Sequence, residues 1–179
     1  MSYGENQYIE IMNITNNKVE KKIDTENDCR GISYQNGNLY IIVEGQGILV
    51  KDKRGNTLNT IKCDVGYNYI TVTKDKIYYT DFNNDTVNCC SLSGEEIWVF
   101  GDESVRSPVG ISVDNYNNVF VVGYHSHNLT VIQHDGTSSK TLLTKSDGLH
   151  YPRAVYYRKD NNTVIICNKP GNIAWYNVT

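Results

Sequence analysis

The chain has 179 residues, of which 39% are hydrophobic and 21% charged, and its formal net charge is −3. This ordinary globular composition excludes an intrinsically disordered chain, and the charge gives no basic footprint for nucleic acid or an anionic membrane. No apolar stretch approaches the roughly twenty residues that span a bilayer, and residues 1–10 carry no secretory signal. We therefore expect a cytoplasmic protein without membrane contact, whose five cysteines are reduced core residues.

The chain opens with two predicted strands, 8–12 and 19–23, which match the last two strands of the repeat that follows. A unit of about forty residues then recurs, with four short apolar runs separated by polar turns. The first runs are 31–34, 69–72, 110–113 and 154–157, and the second runs are 39–42, 77–80, 119–122 and 164–167. The third runs are 48–50, 87–90, 129–132 and 173–176, and the fourth are 58–63, 96–100 and 140–144.

Repeats of this length with four strands each are typical of the blades of a β-propeller. We predict an all-β fold, a β-propeller of four-stranded antiparallel blades with about four blades present in one domain over 1–179. The expected blade units are 8–28 (partial), 29–68, 69–108, 109–152 and 153–179 (partial). The strands left over at the two ends exceed one blade. Either the chain is part of a longer ring, which we favour, or its first strand is displaced.

The third unit carries the most specific motifs in the sequence. Residues 108–114 read Pro-Val-Gly-Ile-Ser-Val-Asp, residues 118–122 read Asn-Val-Phe-Val-Val, and the third run leads into Asp135-Gly136. These segments resemble an NHL repeat. Together with 76–81, 94–98 and 147–152, they make most of the chain similar to the C-terminal propeller of molluscan-type tripartite-motif (TRIM) proteins.

The resemblance implies a six-bladed ring that serves as a non-catalytic recognition module. Its partner would be a protein, including a ubiquitylation substrate, and ligase activity would need RING and B-box modules that this sequence lacks. A single Tyr-Tyr-Thr-Asp segment at 78–81 resembles the propellers of lipoprotein receptors, but the other units lack it. We expect no cofactor.

In a propeller, the loops after the second strands and the loops between blades open on the same face. In this sequence those loops are rich in tyrosine, histidine and arginine, a composition typical of binding surfaces. The candidate binding residues are Arg30, Tyr67, Tyr69, Arg106, Tyr124, His125, His127, His150, Tyr151 and Arg153. The three arginines occupy equivalent positions just before the first strands of three blades, so we predict that they ring the central opening and favour an anionic or peptide ligand. The alternative is that they pair with neighbouring aspartates or lie in water.

Two other functions, RNA binding and metal-dependent catalysis, are weighed against this one. The loop tyrosines could stack on RNA bases, although the net charge disfavours RNA. His125 and His127 share a loop but lack a third ligand nearby in sequence, so we predict no metal site. A six-bladed metal-dependent lactonase or lyase ranks lowest, because the first strands offer few metal ligands and no catalytic motif is present.

The open edges of the outer blades predict self-association of the chain.

Overall fold

The computed structural model describes residues 7–63, 69–169 and 171–178. Within these residues the strands form five antiparallel sheets, in each of which neighbours in sequence are neighbours in space. Sheet 1 contains β1 (Tyr8–Asn13) and β2 (Lys18–Asp24). Sheet 2 contains β3 (Cys29–Gln35), β4 (Asn38–Val43), β5 (Gly47–Asp52) and β6 (Thr57–Ile61). Sheet 3 contains β7 (Ile70–Val72), β8 (Lys76–Asp81), β9 (Thr86–Ser91) and β10 (Glu96–Gly101).

The remaining two sheets carry most of the candidate site. Sheet 4 contains β11 (Pro108–Val113), β12 (Val119–Gly123), β13 (Asn128–Ile132) and β14 (Ser139–Leu143). Sheet 5 contains β15 (Pro152–Arg158), β16 (Thr163–Asn168) and β17 (Ile173–Asn177). A 3₁₀ helix, Lys145–Asp147, lies between sheets 4 and 5. No described helix is long and apolar enough to cross a bilayer.

Apolar residues from adjacent sheets pack face to face and form one core cluster at each sheet-to-sheet interface. Because successive side chains on a strand point to opposite faces, neighbours in sequence enter different clusters. Cys90 packs with Ile42 of sheet 2, whereas Cys89 packs with Val121 of sheet 4. Both thiols are buried. The apolar pattern of the repeat therefore serves two interfaces at once, which is why a single blade could not bury its own surface.

The first strands of adjacent sheets approach one another closely between sheets 2 and 3 and between sheets 4 and 5. A Cβ atom on Gly110 would lie 2.6 Å from both Ala154 Cα and Val155 N, so only glycine fits between β11 and β15. A side-chain hydrogen bond recurs between first strands. Ser33 Oγ accepts the backbone N–H of the next blade's Val72 at 3.1 Å, and Ser112 Oγ accepts that of Tyr157 at 3.0 Å.

Glycines in the outer hairpins join the sheets at their periphery. A Cβ atom on Gly94 would lie 2.6 Å from the Ile61 side chain, and one on Gly136 would lie 2.6 Å from Trp98. Both glycines have positive φ, at 96° and 74°, as tight hairpin turns require. The Trp98 indole N–H also donates to the backbone carbonyl of His134 at 3.2 Å.

The structure confirms the predicted fold class, an all-β propeller of four-stranded antiparallel blades. The predicted strands agree with the observed ones to within about two residues at most ends. The six-bladed ring stays a prediction. On sheet 5 the outward-facing side chains of β17 are exposed, Ile173 by 60% and Trp175 by 71%.

Candidate functional site

One loop position recurs in sheets 2 to 5, namely the first residue after the second strand. The strand bounds place Glu44, Phe82, Tyr124 and Lys169 there. A second position lies at the start of the first strand, where the register shifts in three sheets. Such β-bulges change the direction of a side chain. The residues at the second position are Arg30, Val109 and Arg153.

A cleft lies where these positions meet in sheets 3, 4 and 5. It has a volume of about 290 Å³ and is lined by Tyr69, Phe82, Val109, Tyr124 and Arg153. Val109 is buried and also belongs to the core cluster between sheets 4 and 5, so this wall of the cleft is held by the core. Four of the five lining residues present apolar or aromatic surface. The cleft can therefore take an apolar group and present one guanidinium to it.

Tyr69 stands where the repeat otherwise carries a small residue. The residue immediately before the first-strand core position is Gly31, Gly110 or Ala154 in three sheets and Tyr69 in sheet 3. Its backbone N–H donates to Thr80 Oγ1 at 3.0 Å, and its residue surface is 38% exposed. A large, accessible ring thus replaces a small residue and lines the cleft.

Two cations converge on the Tyr124 ring. The guanidinium carbon of Arg153 lies 5.3 Å from the ring centre, and Lys169 Nζ donates to the Tyr124 hydroxyl at 3.2 Å. The hydrogen bond from Lys169, followed by interaction with Arg153, lowers the pKa of Tyr124. Both favour the phenolate because they are positive. The sheet 5 end of the cleft is consequently cationic.

The loop that carries Tyr124 is fixed by hydrogen bonds to neighbouring loops. Ser126 Oγ accepts the backbone N–H of Arg106 at 3.1 Å, and the His125 ring nitrogen Nδ1 lies 2.8 Å from Ser107 Oγ. The His125 ring also contacts Phe82, with 6.0 Å between ring centres. These contacts therefore hold the loop, and Tyr124 with it, in place from the sheet 3 side.

Tyr151 holds the same loop from the sheet 5 side through its contacts with Tyr124 and His127. The ring centres of Tyr151 and Tyr124 are 5.0 Å apart, and those of Tyr151 and His127 are 4.2 Å apart. The Tyr151 backbone N–H donates to His127 Nδ1 at 3.0 Å, so this nitrogen must be unprotonated. Burial, followed by the positive charge of Lys145 and the nearby histidine His150, lowers the pKa of His127. The neutral ring is the form that the folded loop requires.

The structure thus brings most of the predicted residues into one neighbourhood. Tyr69, Tyr124 and Arg153 line the cleft, and ring contacts connect the rest of the group to Tyr124 either directly or through Tyr151: His125, His127, His150 and Tyr151. Tyr67 lies outside the described residues. In the described part of the chain, no three His, Cys, Asp or Glu side chains are grouped as they would be around a metal ion.

Arg30 and Arg106 do not join this cleft. Arg30 pairs with Glu44 at 2.6 Å and with Asp28 at 3.9 Å. Arg106 lines a separate cavity together with the carboxylates Asp85, Asp102 and Glu103. For these two arginines the alternative interpretation, that aspartates and other carboxylates neighbour them, describes the structure better than a shared arginine ring.

The predicted equivalence of the three arginines was wrong. Arg30 and Arg153 are each the second residue of a first strand, but Arg106 lies two residues before β11. The second residue of β11 is Val109. The sequence placed Arg106 near the first strand of sheet 4. The length of the loop before β11 puts it three residues away from the position that Arg153 occupies in sheet 5.

Phe82 and Lys169 lie in loops of the predicted binding face but were not among the candidate binding residues, and Val109 was in neither set. A sequence signal existed for Phe82 and Lys169, because both directly follow a second strand, as Tyr124 does. Comparing that one position across the units would have found them. Val109 carries no such signal, since a buried valine in a strand is ordinary core.

Comparison with known proteins supports the fold and nothing finer. No family model matches the sequence, and no curated protein matches it. The computationally designed protein Ika4 has a similar structure, with a TM-score of 0.65, 12% identity and coverage of 86% of this chain and 93% of that one. Virginiamycin B lyase from Staphylococcus aureus has a TM-score of 0.71 and 17% identity, and the similar region covers 98% of this chain.

A catalytically inactive variant of the same lyase with quinupristin gives a TM-score of 0.71 at 16% identity. This chain spans 64% of the lyase's length. A streptogramin B lyase structure has a TM-score of 0.60 and 15% identity, with 84% of this chain and 54% of that chain covered. The TM-scores show that the chain has a β-propeller-like fold, and at identities this low the similarity shows the fold alone.

Proposed function

We propose that this chain is a non-catalytic recognition module that binds a protein partner through its loop face. The observation that carries the proposal is the cleft between sheets 3 and 5, where Phe82 and Tyr124 meet Arg153. Phe82 and Tyr124 are half-buried and Arg153 is exposed, so all three can contact a partner, and aromatic and arginine side chains are the ones that most often dominate protein interfaces. A rigid platform of packed sheets keeps the loops in place without a partner, which reduces the cost of ordering them on binding.

The similarity of the third unit to NHL repeats gives this proposal its finer form. The chain would be the propeller of a TRIM-like cytoplasmic protein, and the partner would include ubiquitylation substrates. The segments 108–114 and 118–122 support this form, since they follow the NHL order through the first two strands of sheet 4.

The alternative, RNA binding, has weaker support. Tyr69 and Tyr124 could stack on bases, but the loop face also carries carboxylates beside Arg106, namely Asp85, Asp102 and Glu103. A phosphate backbone that continued past the cleft toward sheet 3 would meet these negative charges. We therefore place protein ahead of RNA as the partner.

The test compares proteins retained from a lysate of the source organism by three immobilised forms of the chain. The forms are the wild type, Tyr124→Ala and Tyr116→Ala. Tyr116 is a matched control, because it is 80% exposed in the turn between β11 and β12, at the other end of the strands. Circular dichroism and urea unfolding check that all three are folded.

We expect quantitative mass spectrometry to detect proteins that the wild type and Tyr116→Ala retain and Tyr124→Ala loses. Equal retention by all three forms would show that the loop face at Tyr124 is not the binding surface.

A further inference from the structure

The cleft is apolar toward sheet 3 and cationic toward sheet 5, and this difference specifies the chemistry of its ligand. We propose that it binds a peptide segment in which an apolar side chain stands next to an aspartate or glutamate, and this proposal rests on the protein-binding function above. The apolar side chain enters between Phe82, Val109 and Tyr124, and the carboxylate lies at Arg153 and Lys169. The structure orients the segment from sheet 3 toward sheet 5.

The two repeat positions described above, at the start of the first strand and directly after the second strand, carry different charges in successive sheets. In sheet 2 they hold Arg30 and Glu44, whose charges cancel in an ion pair of 2.6 Å. In sheet 4 they hold Val109 and Tyr124, which carry no charge at neutral pH. In sheet 5 the same two positions hold Arg153 and Lys169, which are both cations.

This arrangement leaves the two cations of sheet 5 without a carboxylate from the cleft itself. No lining residue of the cleft is acidic. The partner of Lys169 Nζ is the Tyr124 hydroxyl at 3.2 Å, and the Arg153 guanidinium stacks over the Tyr124 ring at 5.3 Å. Both contacts are weaker than a hydrogen bond to a carboxylate, so an incoming carboxylate gains more from these cations than they lose.

The size of the cleft limits the apolar part of the ligand. A volume of about 290 Å³ accommodates one or two side chains and is smaller than the pocket for a typical drug-sized molecule. The apolar walls end at Arg153, so the carboxylate must be close in sequence to the side chain that fills the cleft. A short linear segment meets both conditions.

A phage-displayed library of random linear peptides tests the chemistry directly. The library is selected on the wild-type chain and depleted on Tyr124→Ala, so that the surviving peptides depend on the cleft. The proposal predicts enriched sequences with an aspartate or glutamate beside a leucine, phenylalanine or other apolar residue. Enrichment of neutral or basic sequences would overturn it while leaving the protein-binding function intact.

The enriched peptide is then synthesised with a fluorescent label, together with a version in which glutamine or asparagine replaces each acid. We expect Arg153→Ala to weaken binding of the acidic peptide about tenfold or more, because the variant loses a charged hydrogen bond to the carboxylate. Binding of the amide version should change little between wild type and Arg153→Ala. An equal loss for both peptides would show that Arg153 does not read the carboxylate.

The matched control is Arg158→Ala. Arg158 is exposed at the far end of β15 and pairs with Asp160 at 2.8 Å, so removing it changes the net charge equally without touching the cleft. Wild-type affinity is expected for this variant. A labelled oligouridine is measured in parallel, and tighter binding of that RNA that depends on both Tyr124 and Arg153 would overturn the peptide proposal. If no peptide is enriched and no lysate protein depends on Tyr124, the protein-binding function itself fails.

Discussion

Gly110→Ala is expected to disrupt the contact between β11 and β15 and to destabilise the fold strongly. The added Cβ would lie 2.6 Å from Ala154 Cα and Val155 N, whereas ordinary contact begins near 3.4 Å. The two strands must therefore separate by about 0.8 Å, the difference between these distances. Overpacking of a core costs about 1–3 kcal/mol, and the upper end applies because the opposing atoms are backbone atoms that no rotamer change can move.

Urea unfolding followed by circular dichroism measures this loss. A decrease of about 3 kcal/mol in the free energy of unfolding lowers the midpoint by about 1 M urea, for a slope of about 3 kcal/mol per molar. Gly101→Ala is the control, since its added Cβ would lie 3.4 Å from a Thr86 methyl group and Gly101 has no positive φ. That variant should stay within about 0.5 kcal/mol of the wild type.

A second substitution tests the cause of the loss. Because the contacts of the added Cβ are with the Cα, C and N atoms of residues 154 and 155, removing the Ala154 side chain cannot relieve them. The double variant Gly110→Ala, Ala154→Gly should therefore be no more stable than Gly110→Ala. Recovery of stability in the double variant, or a wild-type midpoint for Gly110→Ala alone, would refute the proposed close approach.

Three further changes test other contacts. Ser112→Ala removes the acceptor for the buried Tyr157 N–H, and we expect urea midpoints to show a loss of about 1–2 kcal/mol. Tyr78→Phe removes a fully buried hydroxyl without an N or O partner, so stability should stay equal or rise by up to about 1 kcal/mol; a clear loss would contradict this. Because the folded pKa of His127 lies below its ordinary value, its contribution to stability is constant above about pH 6.5 and is lost as the pH falls toward that lower pKa. His127→Asn, which tolerates the positive φ of 54° and can still accept from Tyr151, should flatten the decline in urea midpoint measured below that pH.

The sequence was sufficient to predict the strands because each apolar run ends at a polar turn, and the second and third strands of sheets 2 to 4 bury side chains on both faces. The second strand of sheet 4 was predicted at 119–122 and is observed at Val119–Gly123. The first strand was predicted at 110–113 but begins at Pro108, since a bulge between Pro108 and Ile111 interrupts the alternation on which the prediction depends. Bulges are invisible to a period-two pattern.

The candidate site was only partly predictable because it depends on register between blades. Tyr124, Tyr151 and Arg153 were placed on the correct loop face from strand order alone. That Tyr151 contacts Tyr124 and that Arg153 lies over the same ring depend on the lengths of the connecting loops, which vary from blade to blade. Arg106 shows the limit most clearly: it precedes a first strand, yet its position differs from that of Arg153 by three residues.

The repeat itself gives a physical reason why the site lies where it does. Positions where the backbones of adjacent blades meet leave little room for a side chain, as Gly110 shows against β15. The position after each second strand lies in a loop, outside the strand pairing, and residues of different chemistry occupy it in different blades. Phe82, Tyr124 and Lys169 occupy the same position in three successive sheets and present an apolar ring, a phenol and an ammonium group. Ligand chemistry can therefore be changed at this position while the fold is maintained elsewhere, and exchanging Tyr124 or Lys169 should alter binding far more than it alters the urea midpoint.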